Sequence, residues 1–136
     1  MLSKKSQYAF KALGYLTEKF NEGPVLISEI AKKKKIPLKF LENILLELKK
    51  ADILDSKKGK GGGYFLKKSP EKTKVATIIR LINGPISMLP CVSLYFYERC
   101  KNCNEKHCGL HDMMIEVRDA TLNIVENRTL VDLVDY

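Results

Sequence analysis

Residues 37–66 read PLKFLENILLELKKADILDSKKGKGGGYFL, and the two halves of this stretch obey different rules. From Leu38 the apolar residues Leu41, Ile44, Leu45 and Leu48 return every three or four positions, the period of one helix face. Pro37 is tolerated in a first helical turn, so a helix is predicted from there to about Ala51. Beyond it, Ile53-Leu54-Asp55-Ser56 and Tyr64-Phe65-Leu66 are short strand-like runs separated by Lys57 to Gly63, a basic segment with four glycines. That pattern predicts a two-stranded hairpin with a flexible, positively charged tip.

Working outward, Ala9, Ala12, Leu13, Leu16 and Phe20 form an apolar stripe that predicts a helix from about Ser6 to Phe20, ended by Asn21-Glu22-Gly23-Pro24. A short helix follows, with Ile27, Ile30 and Ala31 inward. Lys32, Lys33, Lys34 and Lys35 crowd its C-terminal end, where positive charge suits the helix dipole. Three helices and then a glycine-tipped hairpin is the order of a winged helix-turn-helix, whose third helix enters the major groove while the wing lies along the backbone or minor groove. Val75, Ile78, Ile79 and Ile82 predict a fourth helix, stopped at Asn83-Gly84-Pro85. Residues 86–108 show no sustained period, which argues for a functional loop or one organised by a bound ion.

From Gly109 the stripe Leu110, Met113, Met114, Val117, Thr121, Ile124 and Val125 predicts a helix of about 17 residues, roughly 25 Å long. Thr129 and Asp132 resemble a capping box for a short final helix through Leu133. The expected architecture is mainly α with a small β wing. Residues 1–84 would form the DNA-binding domain, 85–108 a cysteine-bearing loop, and 109–136 a long helix with a short terminal helix.

The chain has 136 residues and carries 24 lysines and arginines against 16 acidic residues, net +8. Residues 1–74 hold 18 basic and 8 acidic side chains, net +10, and the remainder is net −2. The partner-facing part is therefore the first half, and the partner expected is a polyanion, double-stranded DNA before membrane. No apolar run approaches the roughly 20 residues a spanning helix needs, and MLSKKSQYAF lacks the apolar stretch of a secretory signal, so a cytoplasmic location is expected. Gly59-Lys60-Gly61-Gly62-Gly63 lacks the ending of a phosphate loop and the final glycine of a dinucleotide fingerprint. No small-molecule substrate is expected.

Reading bases requires donors and acceptors at groove edges. The third helix offers Glu42 and Asn43, with Lys39 for phosphate or guanine, and the wing tip offers Lys58 and Lys60. From the residues alone, Glu42 is equally a plain surface glutamate and Phe40 more often a core residue. The segments Ser6-Gln7-Tyr8-Ala9, Ile36 to Leu45 and Lys58-Gly59-Lys60-Gly61-Gly62-Gly63-Tyr64 resemble the Rrf-two family of bacterial transcription regulators, with its IscR, NsrR, RirA and CymR groups. The resemblance covers nearly the whole chain, including the closing Thr129 to Val134. It implies winged helices paired through a long C-terminal helix, so that the long helix of residues 109–136 serves dimerisation. By that resemblance Phe40, Glu42 and Asn43 occupy recognition-helix positions, Gly61 and Tyr64 fall in the wing motif, and Lys58 stands where the family usually has arginine.

All four cysteines, Cys91, Cys100, Cys103 and Cys108, and both histidines, His107 and His111, lie within residues 91–111. In a reducing compartment such clustering favours metal ligation or redox chemistry over disulfides. Three sulfurs and an imidazole, Cys100, Cys103, Cys108 and His111, fall within 12 residues, and Cys91 adds a sulfur upstream. The resemblance implies an iron-sulfur cluster, [2Fe-2S] or [4Fe-4S], held by three loop cysteines with a fourth ligand such as His111, and one that an aerobic preparation can lose. Gaps of eight, two and four residues between the cysteines depart from the two evenly sized gaps usual in cluster-bearing relatives. Tetrahedral zinc, or a metal-free thiol switch, remains an alternative, and His107 reads as a surface histidine. Two further rivals are a thiol redox protein built on Cys100 and Cys103, and an interaction module that no longer binds DNA. The first would need a strand-helix unit around its cysteines, which the pattern does not show.

Overall fold

The computed structural model describes residues 1–101 and 103–134. Asn102 of the cysteine loop and the last two residues of the third predicted segment lie outside them. Helices α1 (Lys4–Glu18), α2 (Ile27–Lys34) and α3 (Leu38–Lys50) precede a hairpin of β1 (Leu54–Lys57) and β2 (Gly63–Leu66), followed by α4 (Val75–Ile82) and α5 (Gly109–Val125). Short 3₁₀ turns at Pro70–Lys72, Pro90–Val92, Glu105–His107 and Leu130–Leu133 complete the order.

The expected helices and hairpin are present, with α1 shifted two residues towards the N-terminus. Its cap is Ser3, whose Oγ accepts the Ser6 N–H at 3.1 Å, so the helix starts before the apolar stripe does. Pro37 caps α3 instead of opening its first turn. Between α2 and α3 the chain reverses through Lys35, at φ +53°, and the buried Ile36. The hairpin pairs Leu54 with Leu66 and Lys57 with Gly63, and Val25 adds a bridge to Tyr64 on the outer edge of β2. That bridge brings backbone so close that a Cβ on Gly63 would sit 2.2 Å from the Val25 carbonyl, at φ +145°. Glycine is required there. Gly84, at φ +104°, donates to the Ile79 carbonyl at 3.0 Å and ends α4, as its sequence position predicts.

Leu13, Leu16, Ile30, Leu41, Ile44, Leu45, Leu48, Leu54 and Ile78 are fully buried where α1 to α4 and the hairpin meet. Leu130 joins them from the far end of the chain. The Thr129–Asp132 capping box forms as expected and launches the turn that packs Leu130 against α1. Full burial of such a side chain stabilises the fold by about 1.5–3 kcal/mol, so the chain end belongs energetically to the N-terminal core.

The stripe expected on α5 divides into two faces. Leu110, Met113, Val117 and Ile124 are exposed, at 54%, 55%, 37% and 57%. Met114 and Val125 turn instead to a half-buried inner face with Ile115, Arg118 and Leu122. Apolar residues almost all round the helix made one stripe out of two faces. No residue of α5 is fully buried.

Candidate nucleic-acid interface and cysteine site

Helix α3 buries Leu41, Ile44, Leu45 and Leu48, which turns the intervening positions of its N-terminal half outward. Lys39, Phe40, Glu42 and Asn43 are all exposed there. Phe40 is not core: it is 41% exposed and meets Tyr8 of α1 edge-on, ring centroids 5.6 Å apart. Position 40 lies off the buried face, where an aromatic ring can support the surface without entering the interior. At the wing, Lys58, Lys60 and Gly61 are exposed in the five-residue connection between β1 and β2, and Tyr64 is half-buried on β2. The turn closes through the Gly62 N–H donating to the Gly59 carbonyl at 3.0 Å. Lys39, Lys58 and Lys60 make no ion pair among the described residues, so their charge is available to an external anion.

The base of this platform is pinned by Tyr15, whose hydroxyl donates to the Glu29 carboxylate at 2.5 Å and ties α1 to α2. That hydrogen bond, with burial, pushes the Tyr15 phenol up to about 12, so it is neutral at physiological pH.

The cysteines divide into a trio and an outlier. Cys108 caps α5, its Sγ accepting the His111 N–H at 3.3 Å. Burial and the adjacent thiols of Cys100 and Cys108 push the Cys103 thiol up to about 11, which marks three sulfurs as close neighbours. Cys91 is buried in the Pro90–Val92 turn and is not among the thiols acting on Cys103. His111 Nδ1 is buried without a hydrogen-bond partner, its nearest carboxylate being Asp112 at 3.6 Å. That is too long for a hydrogen bond. His107 is exposed. Among the described residues no three ligand-type side chains converge as a ready cation cage. The soft trio with its orphaned imidazole nitrogen nevertheless has the donor chemistry of an iron-sulfur or zinc site.

Two arginines hold this loop to the rest of the molecule. Arg118 donates to the Val92 carbonyl at 2.9 Å, next to Cys91. Arg80 of α4 donates to Glu126 beyond α5 at 2.5 Å and lies 4.7 Å from the ring centroid of Tyr95. One guanidinium thus touches α4, the end of α5 and the loop. Arg80, aided by Lys74, holds the Glu126 carboxyl below its ordinary value. A depressed carboxyl contributes stability above its unfolded pKa, and that stability is lost as pH falls through the folded pKa. Arg80→Met is therefore expected to flatten the stability profile below about pH 4.3, the unfolded glutamate value. Urea midpoints at pH 7 and pH 3 measure this: the difference between the two pH values shrinks in the variant, and an unchanged difference contradicts the tie.

A helix-turn-helix with an outward-facing third helix and a lysine-tipped wing defines a winged-helix, DNA-binding transcription regulator. The chain belongs to the Rrf2 family: residues 2–136 match the family model described as "Iron-dependent Transcriptional regulator". It is 37% identical over 137 residues to an rrf2-like HTH-type transcriptional regulator of Rhodobacter capsulatus, covering 98% of this chain and 91% of that protein. In structure it is similar to CymR, the global cysteine regulator of Bacillus subtilis, with a TM-score of 0.82, 28% identity and coverage of 98% and 95%. It is also similar to IscR of T. potens, with a TM-score of 0.77, 26% identity and coverage of 98% and 85%. These relatives are named as regulators, none as an enzyme. Among the described residues no helix is long and apolar enough to cross a membrane.

Proposed function

We propose that the protein acts as a homodimer on a two-fold operator and adjusts its affinity through a metal cluster in the cysteine loop. The observation that carries the reading is the exposed N-terminal half of α3, with Lys39, Phe40, Glu42 and Asn43, in a fold that also exposes the wing lysines Lys58 and Lys60. Glu42 and Asn43 are the groups suited to base edges, since glutamate accepts from cytosine and asparagine pairs with adenine. Lys39, Lys58, Lys60 and the backbone around Gly61 and Tyr64 then serve the phosphates. Half-sites would lie one helical turn apart or a multiple of it.

Pairing of two chains is supported by α5, whose exposed Leu110, Met113, Val117 and Ile124 recur with the spacing of a coiled-coil seam. For the sensor, Cys100, Cys103 and Cys108 with His111, or Cys91 in its place, are the residues that would hold an iron-sulfur cluster. Such a cluster supplies redox chemistry and reactivity towards oxidants or nitric oxide. The chain's own part is to tie the loop to α4 and α5 through Arg80 and Arg118, so that ordering the loop bears on the placement of both recognition helices. Coupling of 1–3 kcal/mol changes operator affinity about 5- to 150-fold.

Anaerobic purification, a visible absorption spectrum, analysis of iron, sulfide and zinc, and operator titration before and after metal removal test the sensor. Bound iron and sulfide, lost in Cys103→Ser, with at least a fivefold change in affinity on removal, is the expected result. Zinc without iron would assign the trio to a tetrahedral site, and affinity unchanged within twofold would end the sensing proposal.

A further inference from the structure

We propose that a cavity of about 330 Å³, between the C-terminal end of α1 and the face of the wing hairpin, binds a small apolar carboxylic acid. The proposal is independent of the cysteines and of DNA recognition. The walls are Leu16 from α1, Phe20 and Val25 from the segment that follows it and Phe65 from β2, with Lys19 and Lys57 as the charged side chains. The volume exceeds the roughly 300 Å³ at which small-molecule sites begin, and mostly apolar walls with a few polar groups are their usual character.

Charge selects the occupant. Lys19 and Lys57 make no ion pair among the described residues, although Glu18 and Glu22 flank Lys19 in sequence. Lys19 instead lies 5.8 Å from the ring centroid of Tyr15. No acidic side chain lines the cavity. Two uncompensated ammonium groups disfavour a cation, and apolar walls disfavour a heavily hydrated dianion such as phosphate. A monoanion with an apolar body satisfies both. Lys57 pairs with Gly63 across the hairpin and Asp55 with Phe65, so Lys57 and Phe65 sit on one face of it and an occupant would bridge the wing to α1.

The test is amide-resolved NMR of the full chain titrated with sodium phenylacetate and, separately, with its uncharged isostere phenylacetamide, at constant ionic strength. Saturable shifts centred on Phe20, Gly23, Val25 and Phe65 are expected with the acid. The amide, and the acid with Lys57→Met, should each bind about three- to fivefold more weakly, the yield of one partly exposed ion pair. Lys72→Met, outside the cavity, should bind as the parent chain does. Absence of saturable shifts with phenylacetate, equal binding of acid and amide, or an equal loss in Lys72→Met overturns the proposal.

Discussion

Replacing Lys58 and Lys60 together by glutamate is expected to weaken binding to duplex DNA by about 100-fold at moderate salt, because two phosphate contacts become two repulsions. Both side chains are exposed on the β1–β2 connection and engage no acidic partner among the described residues, so the fold has little to lose. The slope of log affinity against log salt should fall by about one for each lysine neutralised, and further on charge reversal. Fluorescence anisotropy across a salt series reads both quantities. An unchanged slope would mean that the wing does not touch the backbone.

The second large effect concerns α5. Val117 is 37% exposed and Met113 55%, Val117 at the edge of a cavity it shares with Leu2 and Met88 and Met113 further out on the same face. In a dimer joined along this face both positions would be buried, and a carboxylate there would be taken out of water without a partner. Met113→Glu with Val117→Glu is therefore expected to give a monomer in light scattering at micromolar concentration while retaining the helical signal of the parent. Losing the second recognition helix removes the gain of tethered half-site binding, so operator affinity should fall about 100-fold or more. A dimeric mass for this variant would move the pairing surface elsewhere.

The elements carrying local periodicity were legible from the amino-acid sequence. The faces of α3, the basic hairpin, the stop at Gly84 and the Thr129–Asp132 cap each depend on residues within a few positions of one another. What was not legible is what crosses the chain. Leu130 packing on α1, the Val25–Tyr64 bridge and the Arg80–Glu126 tie join residues 39 or more apart, and no period encodes such partners. Helix α5 failed differently, because its apolar residues cover more than one face and a stripe does not say which side meets solvent. Phe40 reads as core by composition, yet it stands one position off the buried set Leu41, Ile44, Leu45 and Leu48. In the cysteine loop, spacing already set Cys100, Cys103 and Cys108 apart from Cys91, but could not say that Cys91 is buried. The structure places the Cys100 and Cys108 thiols near enough to Cys103 to raise its pKa and buries Cys91 in a separate turn.

The coupling proposed between loop and operator has a concrete path through the fold. Arg118 fixes the turn holding Cys91 to the inner face of α5, and Arg80 joins the loop's Tyr95 to α4 and to Glu126. A change in loop order would therefore bear on α5, the helix along which two chains would pair and whose placement would set the separation of the recognition helices. Physical coupling of this kind needs a two-state element that both sites bias, and the loop between Pro85 and Cys108 would serve as that element.

The central claim is that the basic N-terminal half grips duplex DNA through its phosphates. Titration of the parent protein with an operator duplex, selected from a random-sequence pool, over a series of sodium chloride concentrations tests it most directly. Log affinity should fall linearly with log salt, with a slope near −0.9 for each phosphate neutralised and several phosphates engaged. Affinity indifferent to salt would contradict it.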